Sequence, residues 1–392
     1  MKKFLFVFVI FPVLFLNLQA KTWLFNPEEN YLIVDIARNP EGDFFLLGRN
    51  FPSNLDCDDE CPYIMFVVKT DKNGVIKWVN SFNKSLKRKG NRLFLTPDGG
   101  CLIVGMKFLK ETEEGIFLFK LNSEGKLVWE KLIDKGLFAE GRDIVKTKDG
   151  NLVVVGAIRY KGMDCTDVFV AKVDNSGNLI WKKFYGGIDV DIANAVVSTE
   201  DGGCVVAGYS FSFSPNYLSD FLIYKIDSKG NIVWRKTIGG KNNDKAYILM
   251  PTSDGNFLVG GCTSSYVTGG SYWDIYICKI TPEGIVLWQK NYGGKGMDSL
   301  YSVFECADGN YLCRGRKSTS DKKQWFFKIT SAGKLIWRKV VDTDGLHFPD
   351  RLIKLDNGDI VLGFFPDKSL ERFSVFTLND NCEKLRTSDK IR

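Results

Sequence analysis

Apolar positions along this chain come in short runs, not in helical faces. Around Gly202 the order is "IANAVVST", then "EDGG", "CVVAGYS", a looser "FSFSPNYL", "DFLIYKI", "DSKG" and "NIVWRKTI". Alternating Val, Ile, Leu and aromatic residues bounded by Asp-Gly and Gly-Asn pairs mark strands joined by tight turns. The turn glycines supply the positive φ that such turns demand. No segment carries a helical period, so each unit of about fifty residues reads as four strands.

The unit recurs. Trp23, Trp78, Trp129, Trp181, Trp234, Trp288 and Trp337 each sit in a strand of the "NIVWRKTI" type. The turn glycines Gly42, Gly99, Gly150, Gly202, Gly255, Gly309 and Gly358 follow at 21 residues, or 19 in the first copy. Another glycine stands four residues before each tryptophan from Trp78 onward (Gly74, Gly125, Gly177, Gly230, Gly284, Gly333). Intervals of 49 to 57 residues with four strands each predict an all-β, seven-bladed β-propeller with four antiparallel strands per blade. The tryptophans are expected to dock blade against blade.

The predicted blades run about 30–82, 91–133, 143–186, 191–239, 244–293, 298–342 and 347–378, in one domain over 21–382. Trp23 precedes any complete blade, and Arg386 stands where the last copy should have tryptophan. The expectation is that 22–26 supplies the outer strand of the last blade and closes the ring, because an unpaired edge is a liability. The alternative gives that place to 383–388. Under the first reading 383–392 is a C-terminal tail.

The opening "MKKFLFVFVIFPVLFLNLQA" has two lysines, an apolar run and a small residue at Ala20. This is the layout of a secretory signal peptide over 1–20, cleaved before Lys21, with a retained membrane anchor as the alternative. An exported protein, periplasmic, cell-surface or extracellular, is expected, with no transmembrane segment after cleavage. The formal charge of +6 falls to +4 without Lys2 and Lys3, too little to point to nucleic acid.

Of ten cysteines, Cys101, Cys204 and Cys278 fall at core positions of separate repeats. Only Cys57 and Cys61 in "CDDEC" look like a local bridge; most other thiols are expected buried and reduced. The single histidine, His347, reads as a channel or loop residue, and no GxSxG, HExxH or phosphate-binding glycine loop accompanies it. No catalytic residue is assigned.

The run "FLIYKIDSKGNIVW", repeated as "DVFVAKVDNSGNLIW", resembles the tryptophan-docking repeat of the PQQ-like, or quinoprotein-like, β-propeller superfamily. The fuller pattern W-x-K-x-[YFI]-G-G leading to T-x-D-G-G/N is similar to repeats of many exported bacterial and archaeal propellers. The quinone-dependent dehydrogenases of that superfamily imply eight blades, an adjacent Cys-Cys pair and a bound calcium. This chain has seven repeats and no adjacent cysteines, so PQQ is not expected. The sialidase Asp-box spacing and the WD40 His and Trp-Asp signatures are absent too.

Two candidate sites remain. Asp191, Asp244 and Asp298 each follow a tryptophan by ten residues at the start of an innermost strand, placing carboxylates at the mouth of the central channel. Their local reading is hydrogen bonding within their own loops; the sharper alternative is calcium, and otherwise no metal or cofactor is assigned. The loops "SFSFSPNYLSD" and "TSSYVTGGSYWD" carry Phe211, Phe213, Tyr217, Tyr266, Tyr272 and Trp273 on the face where connections vary in length. Such loops bind partners on rigid scaffolds, or order themselves by internal packing. The chain reads as a monomeric, non-enzymatic binding module of the cell envelope whose partner is an envelope protein or a glycan. The rivals are a glycan-active protein and a quinone-dependent oxidoreductase.

Overall fold

The computed structural model describes residues 30–51, 64–82, 88–342 except 111, 216, 271, 295 and 318–322, and then 351–355, 360–366, 373–378 and 385–387. Its strands form a β-propeller of four-stranded antiparallel sheets, each paired in sequence order. Blade 4 is representative: Asp191–Ser198, Cys204–Ser210, Asp220–Ile226 and Ile232–Ile238. Six sheets are complete blades of this kind, with strands of seven to ten residues.

The last sheet differs, and corrects the expectation of seven equivalent blades closed by the N-terminal strand. Only Ile353–Lys354 represents its inner strand, followed by Ile360–Pro366 and Phe373–Leu378. Its fourth strand is Leu385–Thr387, with Thr377 opposite Arg386, so 383–392 is not simply a tail. Edge pairing uses backbone groups and does not require tryptophan at position 386. A short hairpin also closes far less chain than a strand from the opposite terminus would. Residues 22–26 and Trp23 lie outside the described residues, as does the signal segment. Among the described residues, the last sheet meets the first blade through side chains: Val361, Ile353 and Leu355 pack with Ile33, Phe44, Leu46 and Phe66.

Each hydrophobic core lies between two blades. Val205, Ala207, Phe221 and Ile223 of blade 4 pack against Phe257, Val259, Tyr276 and Cys278 of blade 5. Third strands such as Asp220–Ile226 are therefore buried at every position, while outer strands such as Ile232–Ile238 are exposed at most. A strand covered on both faces reads as a continuous apolar run, and this explains "FLIYKI". Cys101, Cys204, Cys262, Cys278 and Cys313 are free and buried, and Cys165 is free and half-buried. Cys306 is disulfide-bonded. Cys57 and Cys61 lie outside the described residues.

Three repeated contacts account for the sequence signature. The Trp234 indole donates to the Pro282 carbonyl at 3.0 Å, across to the next blade. Trp78, Trp181 and Trp288 donate likewise to Ser123, Ser228 and Ser331. The glycine of each receiving turn lies under the ring: a Cβ on Gly125, Gly177 or Gly333 would come within 2.8 to 2.9 Å of Trp78, Trp129 or Trp288. These glycines also hold φ of 75 to 81°. Inside each of the six complete blades an aspartate of the first turn pairs with the lysine of the third strand. Lys225 meets Asp201 at 2.7 Å, Lys120 meets Asp98 at 2.7 Å and Lys172 meets Asp149 at 2.6 Å. Burial raises the Asp201 and Asp98 carboxyls, but the bonds from their lysines and from Thr199 and Thr96 outweigh it and bring both down to about 2.

The third contact is a backbone approach. Every complete innermost strand carries one bulged residue, for example between Ala193 and Ala195. Facing it in the second strand is a glycine whose Cβ would lie 1.8 Å from the Ile192 carbonyl in the case of Gly208, and 1.9 Å from the equivalent carbonyl for Gly105, Gly156 and Gly261. Gly208→Val is therefore expected to cost about 3 kcal/mol or more in denaturant unfolding. A loss below about 1 kcal/mol would show that the strands can separate without penalty.

Candidate functional site

The bulges decide what the channel presents. An extra residue in a strand is pushed out of the ladder and its side chain re-aimed. The six bulged residues are Val34, Asn91, Arg142, Asn194, Tyr247 and Tyr301. All six line a central cavity of about 1200 Å³. Toward the short-turn face the lining becomes apolar, with Phe94, Val145, Val197 and Met250.

The bulged side chains link one blade to the next. Asn91 Nδ2 donates to the Gly141 carbonyl at 2.7 Å, and Arg142 Nη1 donates to Asn194 Oδ1 at 2.6 Å. Asn194 Nδ2 in turn donates to the Ala246 carbonyl at 2.6 Å. Arg49 reaches from the first blade to the Gly90 carbonyl at 2.8 Å and to Asn91 Oδ1 at 2.6 Å.

Charges gather on one arc of this belt. Lys89 and Arg142 both hold Glu140, at 2.6 and 2.8 Å. Arg92 holds Asp143 at 2.7 Å, and Arg351 stands 3.7 to 3.8 Å from Asp143 and Asp35. Burial raises the Glu140 carboxyl, but the Arg142 and Lys89 charges overcome this and hold it at about 2. Asp143 and Asp35 also accept the backbone N–H groups of Val196 and Leu93 in the following blades. The opposite arc is aromatic and apolar, with Tyr247, Ile248 and Tyr301. Arg314 lies over the Tyr301 ring at 5.5 Å.

The predicted carboxylates Asp191, Asp244 and Asp298 are elsewhere. Each is fully buried at a junction between blades and none lines the cavity, which corrects their placement at the channel mouth. Asp191 Oδ2 accepts from Gly187 N–H and Ser212 Oγ, both at 2.8 Å. Asp244 Oδ2 accepts from Gly240 N–H at 2.8 Å and Ser265 Oγ at 2.7 Å. Each also has an acidic neighbour from the third strand of the preceding blade. A Cβ on Gly239 would lie 2.0 Å from Asp220 Oδ1 and 2.7 Å from Asp244 Oδ2, and Gly186 sits in the same way between Asp167 and Asp191. The paired glycines thus make room for carboxylates at the crossing. Among the described residues, no three or more His, Cys, Asp or Glu side chains are placed to hold a metal ion.

The aromatic loops divide in two. Phe213 is half-buried under the Arg235 guanidinium, 3.7 Å from the ring centre, and the Tyr266 hydroxyl donates to the Gly239 carbonyl at 2.8 Å. Phe211 packs edge-on against Tyr209 with Lys245 above both rings. Trp273 is half-buried, and its carbonyl accepts from the Asp298 N–H at 2.7 Å. These four order the loops. Tyr217 and Tyr272 do not share that role: they are 72% and 76% exposed. Tyr217 has φ of 56°, the one non-glycine residue with positive φ among those described. His347 lies outside the described residues. Among the described residues, no helix is long and apolar enough to cross a membrane.

No protein-family model matches the chain. A regulatory protein, FlaEY, of Caulobacter vibrioides is 23% identical over 187 residues, covering 42% of this chain and 19% of that protein. The chain thus spans about a fifth of that relative's length. Among solved structures, puromycin hydrolase aligns over 91% of this chain and 53% of its own, at 12% identity and a TM-score of 0.51. The β-propeller domain of the Trilobed protease from Pyrococcus furiosus covers 92% of this chain and 98% of its own, at 12% identity and a TM-score of 0.48. At these identities the likeness to solved structures concerns the fold.

Asp220 gives the junctions a pH signature. Burial, and then the charge of Asp244, push its carboxyl up to about 6. A carboxyl raised on folding favours the folded state below the unfolded value near 4, and this contribution is lost as pH climbs through 6. Asp220→Asn should therefore stabilise the protein at pH 8 by on the order of 2 kcal/mol, with the gain disappearing near pH 4. Thermal melts across that range check it; a gain independent of pH would contradict the assignment.

Proposed function

We propose that this chain is an exported β-propeller of the tryptophan-docking, quinoprotein-like repeat type that acts as a non-enzymatic binding module of the cell envelope. The observation that carries this reading is the exposure of Tyr217 and Tyr272 on the loops of consecutive blades. The neighbouring aromatics are already used to stiffen those loops. An exposed tyrosine on an ordered loop offers a large contact area for little loss of entropy, against a protein surface or the face of a sugar. The strained backbone at Tyr217 fits a functional constraint, since such residues cluster at binding and active sites.

Export is supported by the charged-then-apolar amino terminus and by the disulfide at Cys306, since structural disulfides persist in oxidising compartments. The partner is an envelope protein or a glycan.

The test compares the native protein with a Tyr217→Ala/Tyr272→Ala variant. Both are cross-linked in the envelope fraction of the source cell and applied to a glycan array. Specific capture, or glycan binding, should drop at least tenfold in the variant while its melting temperature stays within a few degrees. Undiminished capture by a folded variant would place the binding face elsewhere. Sequencing of the mature amino terminus should begin near Lys21; an intact Met1 would contradict cleavage.

A further inference from the structure

Two junctions between blades are capped by an aromatic ring from the chain's own loops. Phe213 and Tyr266 each stand three residues past the second strand of their blade. Phe213 lies under Arg235 and packs against the core cluster that holds Tyr185 of blade 3 with Leu222 and Tyr224 of blade 4. Tyr266 meets the Tyr276 ring at 5.2 Å between centres, and its hydroxyl donates to the Gly239 carbonyl of blade 4. Blade 6 has no such ring to offer. The residues between its second and third strands, 318–322, are Ser, Thr, Ser, Asp and Lys.

At the corresponding place between blades 5 and 6 there is a cavity of about 300 Å³. Tyr292, Trp325, Phe327 and Arg338 line it. By strand position they are the counterparts of Tyr185, Leu222, Tyr224 and Arg235, which surround Phe213. Trp325 is larger than Leu222 and takes over part of the cap. Its ring lies 3.7 Å from where a Cβ on Gly294 would stand, and the Phe213 ring lies 3.3 Å from the same point on Gly187. The cap stays incomplete: Arg338 is 5.4 Å from the Trp325 ring centre, against 3.7 Å for Arg235 over Phe213. Arg338 is exposed, and among the described residues its guanidinium meets no carboxylate. Two polar residues on the lining are already engaged. Thr268 Oγ1 donates to Asp274 Oδ2 at 2.7 Å, and Asn291 Nδ2 donates to the Tyr266 carbonyl. Three rings beneath a cation suit another aromatic ring, and a sugar would lack partners for its hydroxyls. We propose that the junction of blades 5 and 6 receives an aromatic side chain, a phenylalanine or tyrosine of a partner polypeptide, seated against Tyr292, Trp325 and Phe327 beside the Arg338 guanidinium. The chain's own Phe213 and Tyr266 show the fit at the neighbouring junctions. This site is built from residues other than Tyr217 and Tyr272 and does not rest on the reading given to them.

The probes are N-acetyl-phenylalaninamide and N-acetyl-tyrosinamide, with N-acetyl-leucinamide and N-acetylglucosamine as controls. Each is titrated into the full mature protein while the Trp325 indole N–H is followed by NMR, its resonance identified with Trp325→Phe. A saturable shift is expected with at least one aromatic amide and with neither control. The acetylated peptide Ser-Phe-Ser-Pro, the sequence of 212–215, should bind more tightly than the phenylalanine amide, as a polypeptide ligand requires. Arg338→Ala removes an exposed cation and should weaken binding at least threefold. Leu335→Trp, at an exposed position on the lining, fills the cavity and should abolish the shift. The proposal is overturned if neither aromatic amide shifts the indole saturably, if leucine or the sugar does so equally well, or if the peptide binds no better than the amide. It is equally overturned if folded Arg338→Ala and Leu335→Trp variants bind as the wild type does.

Discussion

A tryptophan ring seated on the turn glycine of the next blade is the contact on which the rest of this molecule depends. A four-stranded sheet cannot bury both of its faces alone, and in this ring the neighbouring blades do it. The docking tryptophans set the angle and distance at which they meet. Their indole N–H groups satisfy a turn carbonyl at the same time, so one side chain supplies apolar area and direction together. Inside each complete blade the buried lysine that reaches back to the first turn fixes the opposite corner of the sheet.

The blade angle has a consequence at the axis. Innermost strands held at a fixed splay leave a channel, and the single bulge in each complete one turns a side chain into it. Because the bulge brings a carbonyl against the second strand, a glycine is required there, and the channel ring and the "VVAG" pattern share one cause. The asymmetry of that ring, cationic on one arc and tyrosine-bearing on the other, is where identical blades cease to be interchangeable. The cores between the blades are alike; the channel residues are not.

Much of the fold was legible because seven copies of one pattern reinforce each other. The tryptophan spacing, the four strands and the core cysteines at 101, 204 and 278 all follow from alternation and turn chemistry. The fourth strand of the last sheet was legible only as the alternative that gave its place to 383–388, because Arg386 stands where a tryptophan was expected and the pairing depends on backbone groups alone. Asp191, Asp244 and Asp298 were recognisable as a register, but strand periodicity does not say whether the first residue of a strand faces solvent or the next blade. The channel belt was missed altogether: a bulge changes which residue points inward, and its trace in sequence is a glycine on a different strand. Gly105, Gly156, Gly208 and Gly261, at one position in successive repeats, were the available signal. Of the loop aromatics, sequence could not separate Phe213 and Tyr266, which are spent on local order, from Tyr217 and Tyr272, which are not.

If the docking tryptophans hold blade to blade, removing one must loosen two sheets and not one strand. Hydrogen exchange followed by mass spectrometry on Trp234→Ala measures this directly. The account predicts lost protection across blade 4 and in the blade 5 turn around Pro282 and Gly284, extending to the innermost strand Asp244–Pro251. Faster exchange confined to Ile232–Ile238, with blade 5 as protected as before, would contradict it.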